Sequence, residues 1–221
     1  MKTIHISNEK DIQQTQDTVL VLGYFDGLHR GHQALFAEAR QIAAEKKLKI
    51  AVLTFPESPK LAFVRYQPDL LLHLNSPEER EQLLEAQGVD YLYLIDFTSC
   101  FAGNKAKDFF EKFVKRLKAR AVVAGFDYHF GSDKKEAKEL SQFFDGQIVI
   151  VSSVNEDDKK ISSTRIRQAI KEGRVAEASK LLGYPLSTRG IVVHGNARGR
   201  TIGYPTAVSY THLTLPTNRE V

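Results

Sequence analysis

The sequence predicts an α/β fold built on a Rossmann-like parallel sheet, and three observations predict it. Short, near-continuous apolar runs recur at Thr18–Leu22, Lys49–Phe55, Tyr91–Ile95, Arg120–Ala124 and Gln147–Val151, a character that suits strands covered on both faces. Helix-period patterns separate them, as in a chain of βαβ crossovers. The loops leaving the runs at 18–22 and 120–124 are rich in glycine and aromatics, as expected where ligands gather at the strand ends of an open parallel sheet.

The first run leads into Gly23-Tyr-Phe-Asp-Gly-Leu-His-Arg-Gly-His32, followed by a helical face of Leu35, Phe36, Ala39, Ile42 and Ala43. Strand, glycine loop and helix in that order point backbone N–H groups and the positive end of a helix dipole at one spot, which suits a phosphate. His32 falls in the first helical turn and His29 just before it, so the two rings can converge on one anion. Gly27 and Gly31 let backbone come close there. A lone histidine at such a junction is most simply a core residue; two, flanked by glycines, point to function.

After the strand at 49–55 comes a long loop. Its prolines, Pro56, Pro59 and Pro68, argue against regular structure, and connections of this length are more often functional than idle. A helix begins at Ser76-Pro-Glu-Glu79, where Ser76 caps, Pro77 takes the first helical position and Glu79 closes a capping box; Gly88 ends it. Phe109, Phe110, Phe113, Val114 and Leu117 have the spacing of a core-facing helix stripe. Gly125-Phe-Asp-Tyr-His-Phe-Gly131 leaves the strand at 120–124, offering Phe126 or Tyr128 to a planar ring. Ile161-Ser-Ser-Thr-Arg-Ile-Arg167 opens a helix that Gly173 closes. Hydroxyls at a helix start are ordinary caps, but Arg165 and Arg167 beside them suit a triphosphate.

Composition bounds the reading. The 221 residues leave room for one full domain and a small second one. No apolar run approaches the roughly 20 residues of a membrane span, and Met1-Lys-Thr-Ile-His lacks the apolar core of a signal peptide. The single cysteine, Cys100, excludes an internal disulfide framework and a cysteine-rich zinc site, and a cytoplasmic location is expected. The formal charge of +4 is spread over lysines interleaved with glutamates, as in Glu111–Lys118, so neither nucleic acid nor membrane is expected as a partner. There is no G-x-G-x-x-G after the first run and no Walker A sequence, which disfavours a nicotinamide dehydrogenase or a P-loop kinase.

The loop at 23–32 resembles the G-x-F-D-G-x-H-x-G-H signature of the bacterial FAD synthetases, matching all seven fixed positions. Residues 125–131 resemble that family's G-x-[N/D]-[F/Y]-x-F-G motif, and 161–167 its I-S-S-T-x-I-R motif. The resemblance implies a nucleotidyltransferase domain over residues 1–186 that transfers AMP from ATP to FMN with Mg²⁺, giving FAD and pyrophosphate. It implies His29, His32, Ser163, Thr164, Arg165 and Arg167 as the phosphate-handling residues. Gly23, Phe25, Asp26, Gly27, Gly31, Thr54, Phe55, Gly125, Asp127 and Tyr128 are implied as ligand-binding. Asp26 reads as a loop-fixing acceptor rather than a base. The family's flavin-lining T-F-x-P-H-P segment appears here as Thr54-Phe-Pro-Glu-Ser-Pro59, without its histidine.

Residues 187–207, with Arg189-Gly-Ile-Val-Val-His-Gly195 and Gly199-Arg-Thr-Ile-Gly-Tyr-Pro-Thr-Ala207, resemble the opening of the riboflavin kinase β-barrel found in the bifunctional enzymes. Val208 stands where that motif has asparagine, and 208–221 read as a non-native tail resembling translated adapter sequence. So short a segment cannot close a barrel, so an incomplete fragment without kinase activity is expected. Two other readings remain at this level: a nucleotidyltransferase with another phosphate acceptor, and a flavin- or nucleotide-binding module without turnover.

Overall fold

A computed structural model describes residues 1–62 and 72–187. Pro68, the kinase-like segment beyond residue 187 and the tail at 208–221 lie outside the described residues. By its internal contacts the chain divides into two units, Met1–Ser163 and Thr164–Val221.

The first unit is built on β1 (Lys2–Ile6), β2 (Thr18–Leu22), α1 (Arg30–Lys46), β3 (Lys49–Thr54), α2 (Pro77–Ala86) and β4 (Tyr91–Ile95). It continues through the short helices α3 (Ser99–Ala102) and α4 (Ala106–Phe109) to β5 (Ala119–Gly125), the small pair β6 (His129–Phe130) and β7 (Lys135–Glu136), β8 (Gln147–Val151), and the pair β9 (Asn155–Glu156) and β10 (Lys159–Lys160). Six strands form one sheet in the order β1-β4-β3-β2-β5-β8, and every neighbouring pair in it is parallel.

All five residues of β2 are buried, and their alternation divides the core. Val19 and Val21 face Leu35, Phe36, Ala39 and Ile42 of α1. Leu20 and Leu22 face the opposite layer, with Phe109, Phe110, Phe113 and Leu117. Each fully buried apolar side chain of this kind contributes about 1.5–3 kcal/mol relative to leaving it in water. The sheet is thus held from both sides, as its apolar runs predict.

The capping box predicted for α2 is present: Glu79 N donates to Ser76 Oγ, and Ser76 N donates to the Glu79 carboxylate, both at 3.2 Å. Gly88 follows in the left-handed region at φ +87.

Five details differ from the sequence reading. The sheet begins with β1, which the reading lacks, because Lys2-Thr-Ile-His-Ile6 is a half-exposed edge strand with no apolar run. β3 ends at Thr54, one residue early, and despite its prolines the next loop makes one 3₁₀ turn at Pro59–Ala62, since proline's fixed φ suits a turn's first position. The stripe at 109–117 is buried as predicted, but after α4 the backbone widens into a π turn at Phe110–Val114, with Lys115 N bonded to Phe110 O at 3.0 Å. Finally, Val175–Leu182 is helical (α6), a segment too short to show a clear period.

In the second unit α5 (Ser163–Lys171, its first residue belonging to the first unit) is followed by a turn at Gly173 (φ +74) and then α6. Ile166, Ala169, Ala178, Leu181 and Leu182 are its buried positions, and Arg165 pairs with Glu177 at 3.3 Å.

Candidate active site

The sheet order places the crevice. From β2 the chain adds β3 and β4 on one side and then crosses to β5 on the other, so β2 and β5 form the switch point of the sheet. Leu22 lies opposite Ala124 in their ladder, so the loops beginning at Gly23 and Gly125 leave the sheet side by side.

The first loop is closed and heavily constrained. Asp26 is 2% exposed; its Oδ1 accepts from Leu74 N at 2.8 Å, and its carbonyl accepts from Ser163 Oγ at 2.8 Å. One buried residue therefore ties the histidine loop both to the entry of α2 and to Ser163. Gly27 has φ +79, and a Cβ there would come within 2.5 Å of Leu74 Cδ1. Leu28, fully buried at φ 30, is a strained position of the sort stored at functional sites.

His29 caps α1: its Nδ1 accepts from His32 N at 3.3 Å. A ring nitrogen that accepts carries no proton, so neutral His29 holds its proton on Nε2. The His32 ring stacks on that of His29, centroids 3.7 Å apart and planes 14° apart. Behind His32 stands Phe25, fully buried, edge-on at 5.3 Å and packed in turn on Phe36. Phe25 thus props the imidazole from within the core. A Cβ on Gly31 would sit 3.1 Å from the His29 ring, so this glycine makes room for an imidazole. At Gly27 and Gly31 the space a Cβ would take lies against Leu74 and His29.

Burial sets the charge of the pair. It is the main reason His29 titrates down at about 4, assisted by the positive Lys160 and opposed by Asp127. His32 is held well below the usual range by burial first, then by His29 and Lys160. Both rings are therefore neutral at pH 7 in the free protein. His32 Nδ1 is buried without a hydrogen-bond partner among the described residues, an arrangement that a buried polar atom rarely tolerates outside a site.

The second loop is open. Phe126 is 46% exposed, and Gly125 O accepts from Tyr128 N at 3.0 Å. Tyr128 stacks on Phe130, and burial raises its phenol pKa. The Asp127 carboxylate pairs with Lys160, whose ammonium lies 4.7 Å over the Phe126 ring. Lys160 is absent from the sequence reading. Its only signal is a basic residue immediately before Ile161-Ser-Ser-Thr164.

At the end of β3, Thr54 is fully buried and its Oγ1 has no partner among the described residues. Phe55 packs on Phe97 and Phe101 at 5.1 and 5.6 Å. Beside them Pro56, Glu57, Leu61, Phe97 and Thr98 line a shallow recess of about 300 Å³. Glu57 also holds His73 at 2.8 Å, and His73 in turn meets Tyr24 Oη at 3.1 Å. Thr164, Arg165 and Arg167 belong to the second unit, at the start of α5, where Arg165 engages Glu177. Among the described residues no group of three or more His, Cys, Asp or Glu side chains gathers around one point, and no helix is long and apolar enough to cross a membrane.

A parallel sheet with paired imidazoles capping the helix at its switch point defines a nucleotidyltransferase-like α/β protein. The FAD synthetase family profile matches residues 11–165, and the chain belongs to that family. A riboflavin kinase profile matches residues 182–218. The bifunctional riboflavin kinase/FMN adenylyltransferase of Listeria monocytogenes is 42% identical over 215 residues, 94% of this chain and 67% of that one. Its counterpart in Bacillus subtilis is 40% identical over the same shares. A solved structure described as a macrolide-efflux protein from Streptococcus pneumoniae is 55% identical with a TM-score of 0.86, covering 89% of this chain and 66% of that one. The chain thus spans about two thirds of the length of these relatives.

Proposed function

We propose that the chain is an FMN adenylyltransferase, joining the AMP moiety of ATP to FMN to give FAD and pyrophosphate. An oxygen of the FMN phosphate bonds to the α-phosphorus as the bond to the bridging oxygen of pyrophosphate breaks. The observation that supports this best is the stacked His29–His32 pair at the switch-point crevice, neutral and with one buried nitrogen unpartnered among the described residues.

The phosphate monoester of FMN, with a second pKa near 6, is already largely a dianion at neutral pH, so no protein nucleophile or general base is required. The protein's task is to align two polyanions and to neutralise the charge that builds on the leaving pyrophosphate. His29 offers Nε2–H to a phosphate, and an arriving polyanion raises the proton affinity of both rings, so donors that are neutral in the free protein gain positive charge when charge is needed. The resemblance of 161–167 to the family motif assigns Ser163, Thr164, Arg165 and Arg167 to phosphate, and that of 125–131 assigns Gly125, Asp127 and Tyr128 to the nucleoside. Magnesium would arrive with the nucleotide as part of the substrate and would supply positive charge to its phosphates. The recess by Thr54, Phe55 and Pro56 is the place for the flavin.

The chemistry is that of small water-soluble substrates in the cytoplasm, with no nucleic acid or membrane as partner. Efflux, the description attached to the pneumococcal relative, has no counterpart in these motifs.

The test is formation of FAD and pyrophosphate from FMN and MgATP. Flavin binding without pyrophosphate release would leave a binding module, and release with another phosphorylated acceptor but not with FMN would leave a different transferase.

A further inference from the structure

Lys160 has no part in the sequence motifs, yet its surroundings are unusual for a surface lysine. The β9–β10 hairpin that presents it is fastened to the histidine loop on both sides. Before it, Glu156 pairs with Arg30 at the first position of α1, at 2.6 Å. After it, the Ile161 carbonyl lies 3.9 Å from the place a Cβ on Gly31 would take, and Ser163 Oγ bonds to Asp26 O. Lys160 is thereby held at the mouth between the two loops, its side chain 43% exposed and its ammonium shared between the Asp127 carboxylate and the Phe126 ring.

We propose that Lys160 is a further ligand of the nucleotide triphosphate, kept on Asp127 and Phe126 in the free protein and passed to the phosphates when ATP enters. This rests on the adenylyltransferase reading above. An exposed lysine–carboxylate pair is weakly held, because water screens it and both side chains lose freedom to make it. A polyphosphate close to neutral imidazoles is a stronger partner, with several anionic oxygens in a less hydrated place. The exchange also frees the Asp127 carboxylate and the Phe126 face, on the loop that serves the nucleoside. Its charge already reaches both rings, since it lowers the proton affinity of His29 and of His32.

The experiment compares wild type, Lys160→Met and Lys160→Arg as full 221-residue chains, each first shown to melt at the same temperature. Two quantities are read: affinity for α,β-methylene-ATP with magnesium, by calorimetry, and steady-state FAD formation with each substrate varied. Lys160→Met is expected to weaken the analogue about tenfold and to lower kcat/KM for ATP by about 10–100-fold, while KM for FMN stays within about twofold. Lys160→Arg, which keeps the charge, is expected to recover most of both. Unchanged analogue affinity in Lys160→Met overturns the proposal, as does an equal loss toward FMN or an arginine variant no better than methionine. If wild type makes no FAD, the adenylyltransferase reading fails alone, and the calorimetric comparison still decides the role of Lys160.

Discussion

The loops leaving β2 and β5 start from neighbouring positions in one ladder and are built in opposite ways. In the first, Phe25, Asp26, Leu28 and His29 are all buried, and Asp26 alone reaches two distant segments. In the second, Phe126 is half-exposed and Asp127 is held by an exposed ion pair, while Tyr128 and Phe130 pack on the core. The contrast suits the two tasks proposed for these loops. Stabilising charge in a transition state demands donors that do not reorganise, and a packed loop supplies them. Recognising a nucleoside requires surfaces that can be uncovered when it arrives, and weakly held groups supply those.

The comparison breaks most visibly at the imidazoles. Replacing His29 and His32 together by alanine is expected to lower the rate of FAD formation by at least about 10³-fold, since loss of a single preorganised donor costs about 10²–10³. Flavin binding, followed by quenching of isoalloxazine fluorescence, should survive nearly unchanged. A double variant that keeps a tenth of wild-type kcat would remove the histidines from the chemistry.

The rigidity of the first loop can be tested without touching a donor. Gly27→Ala places a Cβ at φ +79 and 2.5 Å from Leu74 Cδ1. Left-handed strain and overpacking of this kind together cost about 2–4 kcal/mol. Urea unfolding measures the loss, and a change below about 0.5 kcal/mol would mean that the loop yields easily.

Burial of the histidines also makes a pH signature. His29 titrates at about 4 when folded and near the usual 6.5 when unfolded, so between those values the unfolded chain binds the additional proton. Stability is therefore complete above about pH 6.5 and declines as pH falls toward 4, by about 2–3 kcal/mol at pH 4.5 from this one ring. His32, depressed in the same direction, adds to the loss. Comparing urea midpoints of wild type and His29→Asn at pH 7 and 4.5 cancels the titration of carboxylates common to both. Parallel pH profiles in the two proteins would contradict the burial of this ring.

The sequence makes the layered sheet readable because β2, β3, β4, β5 and β8 are apolar on both faces, a pattern that local composition alone conveys. The edge strand β1 escapes notice for the opposite reason, since half of Lys2–Ile6 faces water. In the site, strand, glycines and histidine spacing are legible because they lie within ten consecutive residues. The stacking of His29 on His32, the bond from Leu74 N to Asp26 and the Lys160–Asp127 pair are not, because they depend on side-chain orientation or on partners 33 and 48 residues apart that share no periodic pattern.

The smallest effect belongs to the second loop and sharpens the contrast. Phe126→Ala removes a half-exposed ring whose polar neighbour is solvated, so unfolding stability should change by less than about 0.5 kcal/mol. If the ring is uncovered for the adenine base, the same substitution raises KM for ATP several-fold, by about 1 kcal/mol of lost stacking at the low end of aromatic–base contacts. A stable variant with weakened ATP binding is the behaviour of a recognition surface. A variant that unfolds several degrees earlier with KM unaltered would instead make Phe126 part of the packed interior, and the two loops would no longer differ in kind.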